Sequence, residues 1–171
     1  MSLPIFKTPR LLGRHLSPDD LEAMLDVYGN ARVMRWVGDG EPLDREQCSR
    51  WIKITHKNYS THGYGMFALV LRQSGGVIGF CGLVHPGGQQ EPEIKYALLP
   101  AFWGQGFATE AARAVLDYGA QTFHLPQVTA TAYPENTASH RVLVKAGMEA
   151  ADSRRDEDGT VISVFVWQPG A

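Results

Sequence analysis

Apolar residues recur at helical spacing in the first third of the chain. Leu21, Met24, Leu25 and Tyr28 lie at i, i+3, i+4 and i+7, which predicts one face of a helix. The segment 17–20 before it, Ser-Pro-Asp-Asp, supplies a capping serine, a proline for the first helical position and acidic residues for the first turn.

A second helix is predicted to begin after Asp44, because residues 44–47 resemble a capping box. Its inner face would comprise Cys48, Trp51, Ile52, Thr55 and Tyr59. A short strand, residues 8–14, precedes both helices. Two helices are therefore expected before the main sheet.

Runs of β-favouring apolar residues occupy the middle of the chain. Residues 64–71 and 77–84 are two such runs, and the Ser-Gly-Gly at 74–76 between them predicts a hairpin. Another apolar strand at 93–99 is followed by a glycine-rich turn and then by a helix. The apolar face of this helix comprises Ala112, Val115, Leu116, Gly119 and Phe123.

The last part of the chain continues this alternation. A strand at 128–132 is expected to lie parallel to the strand at 93–99, because a helical crossover joins the two. Asn136 is predicted to cap a further helix, and two strands, 148–153 and 160–167, form a closing hairpin. The predicted order, β-α-α-β-β-β-α-β-α-β-β, is that of an α/β (α+β) fold.

Composition narrows the class of protein. The 171 residues suit one domain spanning 1–171, and a hydrophobic content of 44% permits a substantial core. A net charge of -2 without a basic stripe argues against a nucleic-acid partner. The sequence shows neither a signal peptide nor a membrane-spanning apolar run, so we expect a cytoplasmic protein. The two cysteines and six histidines are dispersed, which predicts neither a disulfide framework nor a metal site.

The glycine-rich turn at 103–108, Trp-Gly-Gln-Gly-Phe-Ala, is the strongest chemical feature. Its small residues let an anion approach the backbone, and the unpaired amides of the first helical turn would point at that anion. We expect a pyrophosphate there. The turn lacks the third glycine and later acidic residue of the dinucleotide fingerprint, and it has no Walker-type Gly-Lys-Ser/Thr. A glycine turn that only begins a helix remains the alternative.

Two motifs, taken with the order of elements, resemble a known family. They are the glycine-rich turn at 103–108 and the segment 136–148, Asn-Thr-Ala-Ser-His-Arg-Val-Leu-Val-Lys-Ala-Gly-Met. Together they resemble the GNAT superfamily of acetyl-CoA-dependent N-acetyltransferases, and the likeness covers almost the whole chain. Thr-Pro-Arg-Leu at 8–11, and Trp103 where an Arg or Gln is usual, are similar to the RimJ/RimL-type branch of ribosomal-protein N-terminal acetyltransferases.

The resemblance implies where acetyl-CoA would bind. The family's sheet is mixed and mostly antiparallel, and its central parallel strand pair splays so that the pantetheine arm inserts between the strands. Ala97, Leu98 and Leu99 would bind pantetheine, and an amide near Leu98 would polarise the acetyl carbonyl. Backbone amides would hold the pyrophosphate in a loop that comprises Trp103, Gly104, Gln105, Gly106, Phe107, Ala108 and Thr109.

The resemblance also implies which groups handle protons. Glu93 is the candidate base, acting through a water, since the attacking amine must be neutral. Many members place a tyrosine seven residues after the asparagine, and here that position is Leu143. Ser139 is the implied substitute, as a hydrogen-bond donor to the departing thiolate, and Tyr133 is a second candidate. Asn136 would cap its helix and contact the pantetheine amides.

We therefore expect an N-acetyltransferase that acts by direct attack in a ternary complex, without a metal. The acceptor would be a protein N-terminal amine or a small-molecule amine, and the enzyme a monomer or homodimer. Two alternatives stay open. One is an inactive acyl-CoA-binding sensor, suggested by Leu143, and the other is an unrelated nucleotide-binding α/β domain.

Overall fold

One sheet of eight strands organises the part of the chain that the computed structural model describes, residues 3–170. The strands are β1 (Pro4–Lys7), β2 (Leu11–His15), β3 (Met66–Leu71), β4 (Val77–Val84), β5 (Glu93–Leu98), β6 (Val128–Ala132), β7 (Glu149–Arg155) and β8 (Val161–Trp167). The helices are α1 (Leu21–Tyr28), α2 (Ala31–Met34), α3 (Arg45–His62), α4 (Phe107–Phe123) and α5 (Thr137–Lys145).

The strands lie in the order β1-β2-β3-β4-β5-β6-β8-β7. Every neighbouring pair is antiparallel except β5 and β6, which are parallel and central. The helix α4 forms the crossover between these two strands, as a parallel connection requires. The predicted mixed, mostly antiparallel α/β sheet is confirmed.

The two faces of the sheet carry separate cores. Side chains alternate along β3, so Phe67 and Leu69 lie on one face of the sheet and Ala68 lies on the other. The first face packs against α4 and α5, through residues such as Val115 and Leu143. The second packs against α1, α2 and α3, through residues such as Val27. β5 contributes to both cores, so its side chains reach both sides of the sheet.

Helix starts follow the predicted local signals. Asp44 accepts a hydrogen bond from the Gln47 amide (2.8 Å), and the Gln47 side chain accepts one from the Asp44 amide (2.9 Å). This reciprocal pair is the predicted capping box of α3. Pro18 begins a single 3-10 turn, Pro18–Asp20, and α1 begins only at Leu21.

Two short elements differ from the sequence prediction. Strand β1 was not predicted, and the strand expected at 8–14 begins only at Leu11, because Thr8 donates its amide to the Leu11 carbonyl (2.9 Å) and closes a turn. The four-residue α2 is a third helix before the main sheet, and Asn30 caps it by accepting from the Arg32 amide. Elements of four residues are too short to show a hydrophobic period.

Candidate active site

The parallel strands β5 and β6 pair only where they begin. Glu93 lies opposite Thr129, and the Thr129 amide donates to the Pro92 carbonyl (3.0 Å). Beyond that pair the strands share no ladder, and the unpaired region between residues 94–98 and 130–132 is here named the β5–β6 gap. Strand ends beside the N-termini of helices are the usual place for a ligand in sheets with parallel strands.

The backbone of β5 limits which groups can face the gap. The Leu99 amide donates to the Ile78 carbonyl in β4 (2.9 Å), and the Leu99 carbonyl accepts from the Phe102 amide (2.9 Å). Amides along a strand point alternately to its two neighbours, so the Ala97 amide also lies on the β4 side and the Leu98 amide lies on the β6 side. Of the three residues predicted to bind pantetheine, Leu98 is therefore the one whose amide faces the gap.

The glycine-rich turn has the geometry of an anion site. Gly104 and Gly106 have φ of 72° and 84°, and Gly106 is the N-cap of α4. The first intrahelical bond runs from the Glu110 amide to the Gly106 carbonyl (3.0 Å). The amides of residues 107–109 therefore have no partner within the helix, as at any helix N-terminus, and they are free to bind phosphate.

Arg10 holds this turn in place, a contact that was not predicted although Arg10 belongs to the motif at 8–11. Its guanidinium donates to the Gln105 carbonyl (2.9 Å) and to Glu110 Oε2 (2.7 Å), and its carbon lies 4.0 Å from the centre of the Phe107 ring. The Arg10 amide donates to Glu110 Oε1 (3.0 Å). Partial burial acts to raise the pKa of Glu110, but hydrogen bonds from Thr8 and Arg10 outweigh it and keep that pKa below its ordinary value.

Glu93 lies in a polar cluster on the α1–α3 face of β5. Its side chain is buried, and Oε1 accepts from Lys95 Nζ (2.8 Å) and from Thr131 Oγ1 (2.5 Å). The other oxygen, Oε2, accepts no hydrogen bond from residues 3–170. Glu93 is therefore an ion-paired carboxylate with one oxygen available to water or substrate, and Lys95 and Thr131 are partners that the sequence did not reveal.

Ser139 lies on the opposite face of the sheet, in the first turn of α5. Its amide donates to Asn136 Oδ1 (3.3 Å), which confirms Asn136 as the cap of α5. The Ser139 hydroxyl is 2.6 Å from the hydroxyl of Tyr96, a residue that sequence reasoning missed. Burial raises the pKa of Tyr96 to about 12, although the hydrogen bond with Ser139 lowers it in part.

The other hydroxyl considered for the thiolate is engaged elsewhere. Tyr133 donates to the Gly38 carbonyl (3.2 Å), and its ring lies 6.0 Å from that of Trp36. Leu143, at the position where many family members have a tyrosine, is 1% exposed and packs in the core. Of these two hydroxyls, that of Ser139 is the one that contacts a side chain of β5, Tyr96.

Trp103 lies between the anion site and α2. Its indole N–H donates to the Leu98 carbonyl (2.9 Å), and the Arg32 guanidinium lies 5.1 Å from its ring centre. The indole therefore occupies the Leu98 carbonyl and leaves only the Leu98 amide for a ligand. Trp103 contributes to the site through this contact as well as through its backbone.

Neither a cluster of metal ligands nor a membrane-spanning helix occurs within residues 3–170. No three His, Cys, Asp or Glu side chains in this part of the chain are grouped so that they could hold a metal ion. No helix there combines the length and the apolar character that a membrane span requires.

Known proteins share this sequence and fold. The profile of the acetyltransferase (GNAT) domain matches residues 10–149. YoaA of Bacillus subtilis, an uncharacterised N-acetyltransferase, is 30% identical over 85% of this chain and 83% of its own. The ribosomal protein uS5-alanine N-acetyltransferase of Escherichia coli is 26% identical over 95% of this chain and 92% of its own. The crystal structure of a GNAT-family acetyltransferase from Bacillus anthracis has a TM-score of 0.80 and 26% identity, covering 95% of this chain and 96% of its own.

The match to the GNAT domain extends over the glycine-rich turn, the β5–β6 gap and both faces of β5. The relatives cover most of the chain and most of their own length, so the likeness concerns the whole fold and not one motif. The chain therefore belongs to the GNAT family and is an acetyl-CoA-dependent N-acetyltransferase.

Proposed function

We propose that this enzyme acetylates a primary α-amine, at a protein N-terminus or on a small molecule, by direct attack on acetyl-CoA in a ternary complex. The observation that carries the proposal is the placement of Glu93 and Ser139 on opposite faces of one splayed strand pair. Acetyl-CoA would enter from the α4–α5 face, and the amine from the α1–α3 face.

The proposed reaction uses groups already present around the β5–β6 gap. The amides of residues 107–109 hold the pyrophosphate, and the Leu98 amide donates to the acetyl carbonyl as negative charge develops on its oxygen. The amine nitrogen bonds to the acetyl carbon, the carbon–sulfur bond breaks, and the thiolate leaves beside Ser139. The proton lost by the amine passes through water to Glu93 Oε2.

An α-amine suits this arrangement better than a lysine side chain. Five residues of strand, roughly 16 Å, separate the Cα atoms of Glu93 and Leu98, so proton transfer has to run through water. Lys95 and Thr131 already donate to Glu93 Oε1, so only Oε2 is open to take a proton from water. At pH 7.5 about a quarter to two fifths of an α-amine is already neutral, against roughly one lysine in a thousand. The enzyme would therefore need little help from a base if its acceptor were an α-amine.

One relative supports this choice of acceptor. The uS5-alanine N-acetyltransferase of Escherichia coli acts, by its name, on an alanine of a ribosomal protein. Trp103 at the head of the anion site agrees with the RimJ/RimL-like branch. These features favour the protein N-terminus within the proposed acceptor class.

A pair of matched peptides tests the proposal. One has a free N-terminus and arginine in place of every lysine, and the other has a blocked N-terminus and one lysine. Thiol release from acetyl-CoA, with product identified by mass spectrometry, is expected only with the first peptide or with small primary α-amines. Faster acetylation of the lysine peptide would contradict the proposal.

A further inference from the structure

The partly buried hydroxyl of Tyr96 lies 2.6 Å from the hydroxyl of Ser139. We infer that Tyr96 is a positioning residue: its hydroxyl donates to Ser139 Oγ and so turns the Ser139 hydrogen toward the β5–β6 gap, where it meets the leaving sulfur. This inference rests on the proposed function. Many family members have a tyrosine where this chain has the buried Leu143, which has no polar group to stabilise the thiolate. Tyr96 and Ser139 together would supply that stabilisation.

The position of Tyr96 in β5 supports this role. Tyr96 lies two residues before Leu98, so one pleat repeat, roughly 7 Å, separates the two along the strand. Its side chain packs with the α4–α5 core, as does that of Leu98. The Leu98 amide would bind the acetyl oxygen, and the sulfur is attached to the same carbon. A hydroxyl held beside Tyr96 is therefore within reach of the sulfur.

Either hydroxyl could donate in this pair, and the proposed role requires Tyr96 to be the donor. Tyr96 Oη lies 2.6 Å from Ser139 Oγ but 3.4 Å from the Ser139 carbonyl, so the bond between the hydroxyls is the stronger one. A serine hydroxyl has one hydrogen and two lone pairs. When Ser139 accepts from Tyr96, its own hydrogen is free for the gap. If Ser139 donated to Tyr96 instead, it would have none to offer the thiolate.

The acidity of Tyr96 limits its role to positioning. Burial raises the pKa of this phenol to about 12, so it stays neutral throughout the range in which the enzyme would work. An ordinary thiol has a pKa near 8.5. A thiolate therefore does not remove the phenol proton. It leaves with its electron pair, is stabilised by the Ser139 hydrogen bond, and takes its proton from solvent afterwards.

A buried tyrosine also needs a hydrogen-bond partner for purely structural reasons. The chain offers a matched control for that effect. Tyr64 is buried in the core against which the partly buried Tyr96 packs, and its hydroxyl bonds to His85 Nε2 (2.7 Å) rather than to a residue of the gap. Removing either hydroxyl should lower the melting temperature by a similar, small amount. Only the loss at Tyr96 should change catalysis.

The experiment compares Tyr96→Phe, Tyr64→Phe, Ser139→Ala and the double variant of Tyr96 and Ser139, with a saturating α-amine acceptor. For Tyr96→Phe we expect kcat to fall about 10- to 100-fold while the KM for acetyl-CoA changes little. The double variant should be no slower than Ser139→Ala, because the two hydroxyls act in series. Tyr64→Phe should keep the wild-type kcat.

A change of leaving group separates this role from general damage. The selenoester analogue of acetyl-CoA releases a selenolate, a weaker base that needs less hydrogen-bond stabilisation. With this substrate Tyr96→Phe should regain most of the wild-type rate, and Ser139→Thr, which keeps a hydroxyl, should be faster than Ser139→Ala with acetyl-CoA.

Three outcomes would overturn the inference. The first is that Tyr96→Phe and Tyr64→Phe have equal kcat. The second is that the losses of kcat from Tyr96→Phe and Ser139→Ala multiply in the double variant. The third is that Tyr96→Phe regains no activity with the selenoester. If the wild-type enzyme acetylated none of the α-amines, the proposed function would fail instead. The two failures are distinguishable, because failure of the Tyr96 inference leaves wild-type turnover intact and failure of the proposed function does not.

Discussion

Substitution of Gly104 tests the anion site most sharply, because the chain contains a matched control. Gly104 has φ of 72°, and a Cβ built on it meets no atom within 4 Å. Gly75, in the turn between β3 and β4, has φ of 77° and is equally open. An alanine at either position therefore suffers the same backbone strain without a steric clash inside the protein.

The expected cost to stability is similar for the two alanine variants. A residue with a Cβ in the left-handed region is less stable than glycine by roughly 1 to 2 kcal/mol. For a chain of this size, each kcal/mol lowers the melting temperature by about 2 to 4 °C. Both Gly104→Ala and Gly75→Ala should thus melt roughly 2 to 8 °C below the wild type.

The effect on CoA binding should differ between the two variants. At Gly104 the added methyl group lies where the pyrophosphate approaches, and relaxation of φ would turn amides away from the anion. We expect the Kd for CoA to rise at least about tenfold, which corresponds to 1.4 kcal/mol. At Gly75 the Kd should stay unchanged. Isothermal titration with CoA, alongside thermal unfolding, gives both quantities, and equal CoA affinity of the two variants would refute the phosphate assignment.

Three further predictions concern Glu93, Arg10 and two partly buried histidines. Glu93→Gln should lower kcat with an α-amine acceptor only a few-fold at pH 7.5, because much of that amine is already neutral, and an unchanged rate in initial-velocity assays would remove Glu93 from proton transfer. Arg10→Ala should raise the Kd for CoA several-fold, and an unaltered Kd in titration calorimetry would contradict this. The same variant should lose only about 1 kcal/mol of stability, because the Arg10–Glu110 ion pair is partly exposed. Burial lowers the pKa values of His15 and His62. The neighbouring His56 lowers the pKa of His15 further, and His85 does the same for His62. The unfolded state therefore binds more protons than the folded state below pH 6.5. Stability in urea should therefore be full above pH 6.5 and decrease toward pH 5, and a midpoint that rises as pH falls would be inconsistent with these shifts.

Local signals account for the parts of the fold that the sequence predicted well. The hydrophobic run at 77–84 and the strand at 128–132 have the expected bounds, and Asn136 caps α5 as expected. Each of these predictions depends on residues within a few positions of one another. The predicted strand at 93–99 ends one residue earlier, at Leu98, because the Leu99 carbonyl accepts from the Phe102 amide in the following turn.

Long-range contacts account for most of what the sequence did not reveal. Arg10 meets Glu110 across 100 positions, and Tyr96 meets Ser139 across 43. Neither pair leaves a spacing pattern, since only the fold brings the partners together. The strand toward which the Leu98 amide points likewise depends on the strand to which the Leu99 amide is hydrogen-bonded. The homodimer or monomer state, the cytoplasmic location and the single-domain organisation stay predictions from the sequence.

The proposed reaction is transfer of the acetyl group from acetyl-CoA to a primary α-amine. The most direct measurement is the initial rate of CoA release from acetyl-CoA with a peptide whose only primary amine is its N-terminus, with the product confirmed by mass spectrometry. Acetylated peptide and CoA should form in equal amounts, at a rate that Gly104→Ala reduces and Gly75→Ala does not. Tight binding of acetyl-CoA without acetylation of any α-amine would contradict it and would favour the inactive acyl-CoA-binding module.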